Sequence, residues 1–172
     1  QFHYGQPVAQ ITYEGRRATG IRLESGEMLG AEVVVSNMDV TPTYRRLLPQ
    51  LPAPEATLRA ERSSSALIFY WGVGRSFPEL NLHNILFSAQ YEAEFQALFE
   101  TKTLFPDPTV YINITSKDVP EDAPEGGENW FVMINAPSND GQDWEALRHQ
   151  AREAIFAKIH RVLGVDVAPH IV

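Results

Sequence analysis

The strongest constraint on the fold is a run of three valines, Val33, Val34 and Val35, with no polar residue between them. Such a run is typical of a strand that is buried on both faces inside a parallel sheet. A parallel sheet needs further strands joined by helical crossovers, and no such unit precedes Val33. We therefore expect a strand at Glu32–Ser36 whose partners lie outside this sequence, as in a piece of a larger protein.

The residues before the valines predict short hairpin strands. Ile11 and Tyr13, then Ile21 and Leu23, alternate with polar residues at a period of two, which is typical of half-exposed strands. After the valines, Asp39 can cap a short helix that extends to Leu48. The predicted strands are Val8–Tyr13, Ala18–Leu23 and Glu27–Leu29, and a domain boundary is expected near Asn37 to Asp39.

A second strand system follows. The apolar stretch Ser65–Val73 predicts a central strand, and shorter strands are expected at Ile85–Phe87, Thr109–Thr115 and Trp130–Asn135, the last two antiparallel. One helix is expected from Tyr91, where apolar residues begin to recur at spacings of three and four, and a second is expected over Asp143–Leu163. The predicted fold class is α+β, a mostly antiparallel or mixed sheet covered by helices.

Composition excludes several functions. A net charge of −8 with scattered Lys and Arg argues against nucleic acid as a partner. Because the chain has no cysteine, it has no disulfide and no thiolate nucleophile, which fits a cytoplasmic location. No apolar run approaches the length of a membrane helix, although apolar contact with a membrane surface stays open.

Catalytic and metal motifs are not found. The sequence has no GxGxxG, no GxxxxGK[ST] and no GxSxG pattern. The five histidines lack metal-ligand spacing, and Glu121, Asp122, Glu125 and Glu128 are more simply explained as a solvated acidic loop. We therefore predict no metal site and no catalytic side chain in this chain.

The order of several short motifs resembles the bacterial-type phytoene desaturase family of FAD-dependent carotenoid desaturases. The likeness spans nearly the whole chain, and it is carried by order and spacing more than by any single motif. Its elements are Pro7-Val8 followed by Ile11, the hairpin end SGE, AEVVVSNMD, TYRRLLP, His83-Asn84-Ile85, the helix of Tyr91, Asp107-Pro108 before the strand of Tyr111, and SKDVPEDAPEGGENWFVMINAP.

The resemblance implies that residues 1–38 are a remnant of the FAD-binding α/β domain and that residues 39–172 are the substrate-binding domain of a flavin amine-oxidase-like fold. It implies that Val8 lies at the adenine end of FAD and that the strand ending at Ser36 and Asn37 runs toward the cofactor. Met38 departs from the small residue expected there. The family's phosphate-binding turn is absent from this sequence, so we expect this chain alone to bind no FAD.

The implied reaction is hydride removal from a long polyene, with FAD as acceptor and the protein supplying an apolar tunnel. Alternation along Ser65–Val73 leaves two candidate walls: Leu67, Phe69 and Trp71, or Ala66, Ile68 and Tyr70. We choose the first set, together with Phe131. Two alternatives stay open: a non-catalytic isoprenoid or lipid carrier of the same fold, and an interaction module that dimerises through the uncovered valine strand.

Overall fold

The computed structural model describes residues 1–172, and the chain divides into two compact units, Gln1–Glu61 and Arg62–Val172. The predicted boundary after residue 38 separates a cofactor remnant from a substrate domain. Because the two units are defined by chain compactness and not by ligands, that functional boundary stays a prediction.

The first unit is built on a three-stranded antiparallel meander of β1 (Val8–Glu14), β2 (Arg17–Leu23) and β3 (Met28–Gly30). Ile11 and Leu23 are its buried apolar residues, as the alternation predicts. Gly20 has a φ of +152°, and a Cβ there would lie 2.1 Å from the carbonyl oxygen of Leu29. A glycine is therefore required where β2 meets β3.

The predicted helix after Asn37 is present but is not regular. It consists of α1 (Val40–Pro42), continued by a π-helical turn over Thr43–Leu47, and Asp39 accepts a hydrogen bond from the Thr41 amide at 2.9 Å. A short helix, α2 (Glu55–Leu58), follows. A bidentate ion pair between Arg45 and Glu55, at 2.8 Å, joins the two segments.

The predicted strand at Glu32–Ser36 does not form. No strand pairs with this segment, and Val33 and Val35 expose 76% and 87% of their surface. A strand exists only through a hydrogen-bonded neighbour, and no segment of this chain supplies one. The expected parallel part of the sheet is therefore missing, and both sheets of the structure are purely antiparallel.

The second unit contains a four-stranded antiparallel sheet with the order β4-β7-β6-β5. Its strands are β4 (Ser65–Val73), β5 (His83–Leu86), β6 (Val110–Asn113) and β7 (Glu128–Ala136). The prediction that Ser65–Val73 is a central strand is wrong, because β4 forms an edge. Only the end of its outer side is paired, where the Val172 amide donates to the Gly72 carbonyl at 3.0 Å.

Helix α4 (Trp144–Leu163) packs on one face of this sheet and completes the main apolar core. Asp143 caps its N-terminus by accepting from the Ala146 amide at 3.0 Å, and Gly164 ends it in the left-handed conformation. Ala151, Ile155 and Ile159 are buried. Neither this helix nor any other in the chain has the length and apolar character needed to cross a bilayer.

The remaining elements lie in the connections. Helix α3 (Tyr91–Gln96) continues as a π-helical turn over Ala97–Thr101 between β5 and β6. Short 3-10 turns occupy Thr115–Lys117, Pro120–Asp122 and Ala168–His170. The fold class is thus α+β, with two separate antiparallel sheets.

Candidate functional site

In the first unit, the three positions predicted to approach a cofactor line a single groove of about 500 Å³. Val8 enters it from the start of β1, and Ser36 and Asn37 enter it from the unpaired segment after β3. The other walls are mainly apolar and include Ile11, Ile21, Leu29, Val33, Val34, Val35, Met38 and Leu47. The structure therefore brings together residues that lie almost thirty positions apart in the sequence.

The groove wall from Ser36 to Met38 is held by side-chain hydrogen bonds. The hydroxyl oxygens of Ser36 and Thr43 lie 2.9 Å apart, and the Thr43 hydroxyl donates to the Met38 carbonyl at 3.2 Å. No strand pairs with the main chain of this wall, which leaves the amide and carbonyl groups of Ser36 and Asn37 available to a ligand. An apolar floor with free backbone groups at one side suits a flat heteroaromatic ring.

In the second unit, three of the four residues predicted to line a substrate wall belong to the core or pack against it. Leu67, Phe69 and Trp71 lie on the face of β4 that α4 covers. The ring of Trp71 lies 5.1 Å from that of Phe156 on α4 and 5.5 Å from that of Phe69. With only 8% of its surface exposed, Trp71 has little area to offer a ligand.

Phe131, the fourth predicted residue, lies on the opposite face of the sheet. Its ring lies 5.5 Å from that of Tyr70 and 6.2 Å from that of Tyr111, both in edge-to-face contact. The predicted set therefore does not form one wall. We call the surface around Phe131 the open face, and its apolar and aromatic residues, which the strand register places side by side, are Ile68, Tyr70, Ile85, Tyr111, Phe131 and Met133.

Polar side chains adjoin the open face at its His83 end. His83 Nδ1 lies 2.8 Å from the Tyr111 hydroxyl and 3.2 Å from the Asn113 amide nitrogen. A groove of about 530 Å³ extends from Tyr70, Asn113 and Phe131 toward Asp122 and Pro124. The open face is thus an aromatic surface with a hydrogen-bonding cluster at one margin.

Two buried charged clusters support the second unit and were not predicted. Glu128, assigned from the sequence to the acidic loop, is instead the first residue of β7 and is 3% exposed. It contacts Lys117 Nζ at 2.6 Å and accepts hydrogen bonds from Ser76 Oγ, the Phe77 amide and Trp130 Nε1. Burial raises the pKa of Glu128, but Lys117 and the other donors outweigh it, so that the pKa is lowered.

Asp107 forms the second cluster, with Lys158 and Arg161 of α4. Burial acts to raise the pKa of Asp107, while hydrogen bonds from Lys158, the Ala89 amide and Arg161 lower it to about 2. Lys158 is 1% exposed and also donates to the Phe87 carbonyl at 2.8 Å. Since these charges pair with one another at the covered side of the sheet, we assign both clusters to structure. The alternation of ENWFVMIN, in which Glu128 shares the face of Trp130, is the sequence signal that identifies the first.

Comparison with known proteins gives close relatives, although no family model matches the chain. A 1-hydroxycarotenoid 3,4-desaturase of Flavobacterium sp. is 56% identical over 97% of this chain and 34% of its own length. A phytoene desaturase of Fusarium fujikuroi is 31% identical over 89% of the chain and 30% of its own length. This chain therefore spans about a third of the length of these curated relatives.

A solved structure shares the fold. The crystal structure of an oxidoreductase from Methanosarcina mazei superposes with a TM-score of 0.56 and 14% sequence identity. The match covers 90% of this chain and 33% of the solved chain. The α+β arrangement described above thus recurs in an oxidoreductase of known structure.

Proposed function

We propose, on the premise that this chain belongs to the carotenoid desaturase family, that the full protein is an FAD-dependent oxidoreductase acting on a long apolar polyene. The observation that carries the proposal is the 56% identity to a 1-hydroxycarotenoid 3,4-desaturase over 97% of the chain. Because the match extends through both compact units, it covers the predicted cofactor remnant and the predicted substrate domain alike.

In this proposal the groove of the first unit holds the adenine end of FAD. Its apolar floor and the unpaired backbone beside Ser36 and Asn37 fit a planar ring with hydrogen-bonding edges. FAD would supply the acceptor for a hydride taken from a saturated carbon pair. The contribution of Val8, Ser36 and Asn37 is to bind and orient the cofactor, and none of the three supplies a proton-transfer group.

The open face of the second unit is the proposed wall of the polyene site. Trp71 is buried beneath α4, and Leu67 and Phe69 pack against the same core, which argues against our first choice of lining residues and favours the opposite set. Ile68 and Tyr70, with Phe131, offer an exposed aromatic and aliphatic surface to an apolar chain. Such a surface orients the substrate and excludes water from the carbon pair that reacts, and this role needs no acid or base on the wall.

Substrate and location follow from the same chemistry. A long polyene partitions into lipid, so we infer that the full protein contacts a membrane surface peripherally, and its cytoplasmic location stays a prediction from the absence of cysteine. Dimerisation through the unpaired segment Glu32–Ser36 stays a prediction, supported only by the exposure of Val33 and Val35.

The test is reconstitution of the full-length protein with FAD and a polyene such as phytoene. We expect new absorbance bands at longer wavelength, because each added double bond extends the conjugation. Tight polyene binding with no new bands under any electron acceptor would instead favour a non-catalytic isoprenoid carrier of the same fold. A full-length protein that binds no FAD would contradict the proposal.

A further inference from the structure

We propose that His83, Tyr111 and Asn113 form a binding site for a hydroxyl group at one end of the polyene. We call these three residues the polar cluster. The inference deepens the proposed function and rests on it, since it names a feature of the substrate that the open face would recognise.

The hydrogen bonds within the polar cluster fix the histidine tautomer. The Asn113 amide nitrogen donates to the Leu82 carbonyl at 3.0 Å, which sets the orientation of the side-chain amide. Its second hydrogen then faces His83 Nδ1 at 3.2 Å, so Nδ1 is an acceptor and the proton of a neutral ring lies on Nε2. The Tyr111 hydroxyl, 2.8 Å from the same Nδ1, donates toward it as well, so the two donors share the single lone pair of that nitrogen and the shorter Tyr111 contact is the stronger one.

This arrangement leaves one donor and one acceptor free for a ligand. His83 Nε2–H makes no hydrogen bond within the chain, and the Tyr111 oxygen retains its lone pairs. An alcohol both donates and accepts, so it can accept from Nε2–H and donate to the phenol oxygen. A purely apolar substrate end would leave both groups unpaired if water were displaced, at a cost in affinity.

The surroundings favour the end of a long apolar molecule over a small polar one. The ring of Tyr111 lies 6.2 Å from that of Phe131, which contacts Tyr70 in turn, so the polar cluster is continuous with the aromatic surface. Ile85 is paired with Tyr111 and is 53% exposed. A molecule lying on the open face would therefore place its apolar length on aromatic rings and its end at the polar cluster.

The chemistry of a relative agrees with this inference. The protein that is 56% identical to this chain is named for a substrate with a hydroxyl on its first carbon, on an otherwise apolar polyene. Hydroxylated and unhydroxylated polyenes differ in the one group that the polar cluster is built to bind. We therefore infer that the cluster determines preference for the hydroxylated member of such a pair.

The test compares Tyr111→Phe with the unaltered full-length protein, using a 1-hydroxylated carotenoid and its unhydroxylated counterpart. Loss of one hydrogen bond predicts that the ratio of Kd for the hydroxylated carotenoid to Kd for the counterpart rises about fivefold, and that the ratio of the two KM values rises likewise. Tyr91→Phe removes a hydroxyl from an exposed ring outside the open face and the polar cluster, and serves as the matched control. Equal unfolding midpoints for the two variants exclude a folding defect.

Each remaining outcome is decisive. Equal changes for both substrates, or no change for either, would overturn the inference. If the unaltered protein desaturates neither carotenoid, the proposed function fails. The Kd values, followed by the absorbance shift of bound carotenoid, still test the polar cluster in that case, so the two failures are distinguishable.

Discussion

Ion pairs with a buried member stabilise the second unit, and the half-buried Asp107 with its partner Lys158 is the clearest example. It lies 2.6 Å from Lys158, which is almost fully buried, and its pKa is about 2 in the folded chain. An unfolded aspartate titrates near pH ~3.9. Because the folded pKa is the lower one, Asp107 stabilises the fold above that pH, and its contribution is lost as the pH falls toward 2.

We predict that Asp107→Asn lowers the free energy of unfolding by about 3 kcal/mol at pH 7, because Lys158 is left buried with only the Phe87 carbonyl. The variant should also lose part of the decline in stability that the unaltered protein shows between about pH 4 and pH 2. Urea unfolding across this pH range measures both effects. Asp118→Asn, an exposed change of the same chemistry, is the control, and equal behaviour of the two variants would contradict the prediction.

Glu128 gives a second prediction at the residue scale. Glu128→Gln keeps the shape of the side chain but removes the charge that faces Lys117 at 2.6 Å. We expect the free energy of unfolding to fall by about 3 kcal/mol, since a mostly buried ammonium loses its counterion. Chemical denaturation followed by tryptophan fluorescence reports the change, and Trp130, whose indole donates to Glu128, contributes to that signal. Glu121→Gln on the exposed loop should leave the unfolding midpoint unchanged.

Among the elements, helix α4 gives the sharpest prediction because its two sides differ in burial. Ile155 is fully buried in the core, whereas Val162, which the sequence pattern assigns to the apolar face, is 52% exposed. Ile155→Ala should lower the free energy of unfolding by about 3 kcal/mol through loss of apolar contact and the cavity it leaves. Val162→Ala should cost less than about 0.5 kcal/mol. Equal losses measured by thermal or urea unfolding would mean that the helix packs differently.

The sequence predicted most elements because their signals are local. Period-two alternation located β1 and β2 within a few residues, a short apolar run located β7, and the helical spacing of apolar residues over Asp143–Leu163 located α4. Strand pairing is not local. The valine run indicated a buried strand, yet without a partner it remains an exposed extended segment, and β4 is apolar on both faces although it lies at an edge.

The candidate site was also predicted only in part, because strand pairing is not a local property of the sequence. Val8, Ser36 and Asn37 came from the family resemblance, and the structure brings them into one groove. The polar cluster depends on the register that pairs His83 with Asn113 across β5 and β6. Neither that register nor the face that α4 covers can be deduced from alternation, which assigns residues to two faces without saying which face is open.

At the scale of the whole molecule, the cofactor prediction can be tested on the chain itself. The 172-residue sequence has no glycine-rich phosphate-binding turn, and we propose its groove only for the adenine end of FAD. We predict that the chain alone shows no saturable FAD binding at micromolar concentrations in a flavin fluorescence titration. The full-length protein is the positive control, and micromolar binding by the 172-residue chain would refute the prediction.

The pairing of β4 with β7 also has a consequence for synthesis on the ribosome. Ser65 pairs with Ala136 and Val73 with Glu128, so β4 is made 55 to 71 residues before the strand that covers its inner edge. At about 5–20 residues per second, the nascent SALIFYWGV segment waits roughly 3–14 s without its partner. During that interval the segment carries no charged residue, and neither of its edges has a hydrogen-bonded neighbour. Chaperone binding to the nascent chain is therefore expected to concentrate on β4 and to end when β7 emerges.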